Sequence, residues 1–139
     1  MAAATGYQHT AEQEKEIEDW FANYDKLVAD GDLEGMADQA VFPLNEVTDD
    51  AAGLGVVSAT DRHRFVAQMR AAGVGAGELE MRSNRTPVFL SPGLVFVVTD
   101  AAFTVDGETT TMRYGDLLIR TSAGWRFQTM IAGGMSASL

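Results

Sequence analysis

Asp116 is the residue in this sequence whose type and setting most clearly could do chemistry. It stands in Met112-Arg113-Tyr114-Gly115-Asp116-Leu117-Leu118-Ile119, a run whose aromatic and aliphatic content marks a strand with at least one buried face. A carboxyl surrounded by Tyr, Phe and Leu loses solvation, so its pKa rises and it becomes a candidate general acid or base near neutral pH. Tyr24 and Tyr114 carry phenols that could hydrogen-bond an oxyanion developing on a substrate. Two plainer readings of Asp116 stay open: an ion pair with Arg82 or Arg85 from a neighbouring strand, or exposure at a curved edge. Arg82, Asn84 and Arg85 are candidate polar groups of a pocket, but the Ser91-Pro92-Gly93 turn does not fix which of them face inward.

Other chemistries have little material to work with. Cysteine is absent, which removes disulfides, thiolate nucleophiles and Cys-ligated metal sites together. The two histidines, His9 and His63, lack the spacing of a paired zinc site, and His63 lies between Arg62 and Arg64 on what reads as a helix surface. No metal and no cofactor is therefore expected. Gly73-Val74-Gly75-Ala76-Gly77 follows a helix and does not connect a strand to one, so it is not a nucleotide-binding loop. Twenty acidic against ten basic side chains give a net charge of −10, which repels phosphate backbones and anionic membranes. Nucleic acid and membrane are not expected partners. No apolar run is long enough to span a bilayer, and the N-terminal segment lacks a basic start and an apolar stretch, so a cytoplasmic location is the expectation.

The elements that must position these groups are legible in outline. Residues 1–9 read as a flexible tail and residues 10–139 as one domain. Thr10 and Gln13 have capping-box spacing, and Ile17, Trp20, Phe21, Tyr24, Leu27 and Val28 recur at helical intervals behind them. Gly31 supplies a C-cap and Asp32 caps a short second helix. Ala40 to Thr48 read as a strand, with Pro43 at an edge or bulge. Residues 49–59 read as a loop, and Thr60 opens a helix carrying Phe65, Val66 and Met69. From Glu78 onward the texture becomes that of an antiparallel meander, so helices come first and sheet second, an α+β arrangement.

Asp106-Gly107 is the dipeptide of a two-residue type I′ hairpin. It pairs Val105 with Glu108 and so sets Asp100 opposite Arg113 on one face, and Val97 opposite Asp116 on the other. Asp100 thereby gains a structural explanation, a cross-strand pair with arginine. Asp116 gains none. A four-residue turn at Thr121–Gly124 would place Thr129 opposite Asp116, with Tyr114, Leu118, Phe127 and Ile131 on the same surface; a three-residue turn would place Met130 there instead.

The order of elements, with Gly31-Asp32-Leu33 after the first helix and Gly124-Trp125-Arg126-Phe127 ending a three-stranded meander, resembles the NTF2-like superfamily. The resemblance covers roughly residues 10–133 and points to the SnoaL-like and ketosteroid-isomerase-like small-molecule branch. It implies a cone-shaped α+β roll, with the N-terminal helices packed in the concavity of a curved, mainly antiparallel sheet around an apolar pocket. It also implies isomerases, cyclases or dehydratases that need no cofactor, alongside members that only bind or dimerise, often as homodimers through the outer sheet face. Tyr24 stands eight positions before Asp32, the relation of a hydrogen-bonding Tyr in ketosteroid isomerases. Their base is a carboxylate directly before a strand proline, where this chain has Phe42. The expected machinery is Asp116 as acid or base and Tyr24 as oxyanion donor, on a small, largely apolar metabolite. The expected lining comprises Trp20, Phe42, Met69 and Met112, together with Tyr114, Leu118, Phe127 and Thr129. The alternative is a non-catalytic ligand-binding or dimerisation module.

Overall fold

Thr10 opens the first helix, α1 (Ala11–Asp30), through a complete capping box. The Gln13 N–H donates to Thr10 Oγ1 at 3.2 Å, and the Thr10 N–H donates to Gln13 Oε1 at 2.8 Å. Gly31 ends the helix in the left-handed conformation at φ 67°, where a side chain would be strained. Asp32 then caps α2 (Leu33–Asp38) by accepting from the Gly35 N–H at 2.9 Å. Tyr7 and His9, within the stretch expected to be a tail, are held against the body. The Tyr7 hydroxyl bonds the Gln13 side chain, and the His9 ring stacks on Phe89 at 4.5 Å between centroids.

Six strands form one sheet in this computed structural model, which describes residues 6–74 and 80–138. They are β1 (Ala40–Asp49), β2 (Gly55–Thr60), β3 (Glu80–Ser91), β4 (Leu94–Val105), β5 (Glu108–Thr121) and β6 (Gly124–Ala132). The order across the sheet is β2-β1-β6-β5-β4-β3, antiparallel throughout except where β1 runs parallel to β6. A third helix, α3 (Arg62–Ala71), connects β2 onward and buries Phe65 and Val66. Residues 75–77 of the glycine-rich connector lie outside the described residues. The meander contains four strands, one more than expected, because three turns join them.

The expected loop at 49–59 is corrected in its second half. Asp50 closes a short turn by accepting from the N–H groups of Ala52 and Leu54, and Gly55–Thr60 then pairs with β1. Val56, Ser58 and Thr60 are turned inward more than Val57 and Ala59, the two-residue period of a half-buried strand. Thr60 ends this strand, and the cap of α3 is Asp61, which accepts from the Arg64 N–H at 2.8 Å.

The concave face holds the core. Ile17 and Phe21 of α1, Met36 and Ala37 of α2, and Phe65 of α3 meet Leu44, Phe89, Val95, Val97, Leu118, Trp125 and Phe127 of the sheet. Burial of this many large apolar side chains, each contributing about 1.5–3 kcal/mol relative to exposure, is what holds helices and sheet together. On the opposite face a Cβ built on Gly115 would lie 2.7 Å from Phe96 Cζ. Glycine at 115 thus lets the Phe96 ring lie flat over the strand that carries Asp116 on its other side.

Candidate active site

The Asp106-Gly107 turn has the positive φ angles of a type I′ hairpin, 51° and 80°, and its register runs unbroken from Val105↔Glu108 to Leu94↔Ile119. Asp100 and Asp116 therefore fall on opposite faces, as the turn chemistry requires. Arg113 Nε donates to Asp100 Oδ1 at 2.7 Å on the exposed side. Asp116 faces the interior and is 5% exposed.

Thr121 and Gly124 close the next turn with Arg120 opposite Trp125, so the four-residue turn forms. A bulge between Leu117 and Leu118 then shifts the partner strand by one residue. Met130, and not Thr129, lies opposite Asp116, while Thr129 pairs with Leu117 and Ile131 with Gly115 on the outer face. The expectations that Thr129 lines the interior and that Ile131 shares the face of Asp116 are both corrected by this single extra residue. Phe127 stays inside, opposite Leu118.

Two transverse rows of interior side chains result. One runs Arg85, Thr99, Tyr114; the next runs Pro87, Val97, Asp116, Met130, Glu46. α1 lies over them. Trp20 and Tyr24 stack in parallel with ring centroids 5.8 Å apart, and both meet the Phe127 ring edge-on at 4.8 Å. Tyr24 of this cluster lies close enough for the Asp116 carboxylate to act on its phenol, and Phe127 stands opposite Leu118, two residues along the same face of β5. Phe42 packs at 5.9 Å from the Phe65 ring, and Met69 lies against the same core. Met112, opposite Ala101, is half-buried toward the far end of β5, away from the helices that cover Asp116.

Electrostatics distinguish Asp116 from every other acid described. Burial pushes its carboxyl up to about 7, and the more distant positive charge of Arg85 only partly opposes this. Among the described residues no ion pair and no hydrogen bond reaches its side chain. Burial also raises the Tyr24 phenol, and the nearby Asp116 carboxylate raises it further. Tyr114 is raised by burial against the opposing charge of Arg85. At neutral pH both phenols are hydrogen-bond donors, and Asp116 stands near the midpoint of its titration. That is the condition under which one carboxyl both gives and takes a proton readily.

The arginine question resolves in a way the sequence did not anticipate. Arg82 is exposed. Arg85 points inward, but its guanidinium is bonded to Asp25 of α1, with Nη1 to Oδ2 at 2.7 Å and Nη2 to Oδ1 at 2.8 Å. Its plane also sits over the Phe21 ring at 4.2 Å. Burial opposes the charge on Arg85, but the hydrogen bonds and charge of Asp25 outweigh it and leave the pKa above its ordinary value. Glu46, another interior acid not foreseen, accepts from Thr60 Oγ1 at 2.5 Å. Its alternation with buried Leu44 and Thr48 was the available signal. Asp25 had none, since a helix acid beside Tyr24 reads as solvated until its partner strand is known.

Among the described residues no group of three or more His, Asp or Glu side chains is placed to hold a metal ion. A cleft of about 220 Å³ opens between α1 and β3 beside Phe21, Arg85 and Pro87. A larger groove of about 880 Å³ lies away from Asp116, over the far ends of β3, β4 and β5, where Arg82, Asn84, Asp100 and Arg113 line it. Met81, buried Ala101 and half-buried Met112 also line that groove, where Asp100 and Arg113 pair, and neither of these two cavities is lined by Asp116 or Tyr24.

Helices in the concavity of a curved, mainly antiparallel sheet make this an NTF2-like fold, and comparison with solved structures agrees. Aln2 from a Streptomyces species is 18% identical with a TM-score of 0.67, the match covering 91% of this chain and 94% of that one. A candidate scytalone dehydratase from Novosphingobium aromaticivorans is 18% identical with a TM-score of 0.63, over 86% and 82% of the two chains. An NTF2-like protein with a cystatin-like fold from the same organism is 17% identical with a TM-score of 0.64, over 91% and 86%. No family model matches the sequence, and no curated protein matches it. At these identities the likeness is one of fold.

Proposed function

We propose that this protein is a cofactor-independent enzyme that moves a proton on a small, largely apolar metabolite, as an isomerase, cyclase or dehydratase. The observation that carries the reading is Asp116: a buried carboxyl with no cationic partner, pushed up to about 7 by burial and near the Tyr24 phenol. Holding an acid there is costly, and such costs concentrate at functional sites. Asp116 transfers the proton; Tyr24, with Tyr114, donates hydrogen bonds to the oxygen on which charge develops. Phe42 in place of a carboxylate before Pro43 means that the proton chemistry falls to the β5 acid. The likeness to a candidate scytalone dehydratase is consistent with elimination of water from a hydroxylated ring.

The test uses a panel of apolar cyclic ketones and β-hydroxy ketones incubated in deuterated buffer. NMR is expected to detect exchange at carbon next to the carbonyl, or loss of water, with at least one panel member. Asp116→Asn should lower that rate by about 10²–10⁴-fold with the fold intact. Equal exchange by the variant rejects the assignment.

A second reading is supported by the outer sheet face, where Val88 is 48% and Leu94 41% exposed beside half-buried Phe96, Val98, Leu117 and Ile119. An apolar patch of this kind fits self-association, and we propose a homodimer through it. Sedimentation equilibrium is expected to return twice the chain mass; a monomer at all concentrations tested would reject the dimer.

A further inference from the structure

The interior holds one arginine on β3 and two acids within its range, and the arginine is paired with the less buried of them. We propose that Asp25 is a positioning residue that holds the Arg85 guanidinium against α1 and so keeps it off Asp116.

The register carries the geometry. Arg85 and Asp116 share the concave face and are diagonal neighbours across β4, through the pairs Arg85↔Thr99, Thr99↔Tyr114 and Val97↔Asp116. Two strand spacings and a two-residue offset put their Cα atoms about 12 Å apart on a flat sheet, and curvature toward the concave side shortens the gap between side chains. An extended arginine and the aspartate side chain together cross most of that distance, and the curvature of the sheet closes the rest. Three contacts hold it elsewhere: two hydrogen bonds from its fork to the two Asp25 oxygens, and its plane on the Phe21 ring at 4.2 Å. A bidentate fork of this kind fixes orientation as well as position. Arg85 Nε, buried, is without a hydrogen-bond partner, and so is the buried Thr99 Oγ1 beside it. The arrangement leaves the Nε donor unused, while on the side away from Asp25 the guanidinium approaches the Tyr114 hydroxyl of β5 and favours its ionised form.

Among the described residues, the neighbours of Asp116 leave no other cation for the role. The titratable or charged groups around it are Tyr24 and Asp25 from α1, Arg85 from β3, Tyr114 from β5 and, beyond Met130, Glu46 from β1. β4 and β6 contribute Val97, Thr99 and Met130, which do not titrate. Arg85 is the only positive charge in this set. Where it sits decides whether Asp116 behaves as a desolvated acid or as half of an ion pair.

This inference deepens the acid–base reading of the same site, but it is measured by titration and not by turnover. A protein with the expected titrations and no proton-transfer activity would defeat that reading and leave this one standing. The experiment follows the Asp116 carboxyl carbon by ¹³C NMR against pH in the full chain. In Asp25→Asn the released Arg85 is expected to turn to Asp116 and lower its pKa by about 1–3 units, the usual effect of an adjacent opposite charge. Asp25→Glu, which keeps a carboxylate on the helix, should leave it near the wild-type value. In Arg85→Gln the pKa should change by less than about one unit, because the guanidinium is already held away. An unchanged or raised pKa in folded Asp25→Asn overturns the proposal. So does a large upward shift in Arg85→Gln, which would make Arg85 the existing counter-ion; that variant decides the question if Asp25→Asn does not fold.

Discussion

Asp100 and Asp116 belong to one hairpin, face opposite ways, and have opposite electrostatic fates. Asp100 looks out and meets Arg113, whose hydrogen bonds hold its carboxyl below the usual carboxylate range. Asp116 looks in, meets Val97 and Met130 across the two neighbouring strands, and is pushed up to about 7 by burial. The residue type is the same and the strands are adjacent; only the face differs. What the difference teaches is that a strand acid is left exposed and paired, or buried and unpaired, by the parity of its position relative to the nearest fixed turn. Here that turn is Asp106-Gly107.

The largest expected effect comes from neutralising Asp116. Its unfolded-state carboxyl is ionised above the ordinary 3.8, whereas the folded state keeps the proton until about 7. The folded state thus binds the extra proton, so stability falls as pH rises between those values and is level above them. At about 1.4 kcal/mol per unit the loss is on the order of 4 kcal/mol. Urea unfolding should find Asp116→Asn more stable than wild type near pH 8 and the advantage gone near pH 4. A variant without that pH dependence would mean that Asp116 is solvated or paired.

Giving Asp116 what Asp100 already has should produce an intermediate effect. Met130→Lys places a cation directly across from it, and the Asp116 pKa should fall by about 1–3 units by NMR titration. The pH-dependent loss of stability should shrink with it. The smallest effect is expected on the other face. Asp100→Asn removes an exposed pair, and its denaturation midpoint should be indistinguishable from wild type in ordinary salt. A marked loss there would break the contrast by showing that the outer pair also organises the sheet.

Much of the fold was legible because its signals are local. The Thr10–Gln13 capping box, the Gly31 and Asp32 caps, the stripe from Ile17 to Val28 and the Asp-Gly hairpin each act over a few residues, and each forms as read. β2 was hidden because Asp and Gly surround a short strand whose pairing partner, β1, is needed to make it one. Thr129 was misplaced because a bulge at Leu117/Leu118 depends on how β6 accommodates both β5 and the parallel β1, which no local pattern records.

By itself, then, the sequence determined which side of the β4–β5 hairpin Asp116 occupies and that an apolar helix stripe needed covering, since turn geometry and helical period are properties of neighbouring residues. Only the tertiary structure decided that Arg85 pairs with Asp25, that Met130 stands across from Asp116, and that Glu46 shares its face. Those facts join residues up to 84 positions apart, from Glu46 to Met130, and depend on how sheet curvature and helix packing bring distant side chains into one desolvated interior.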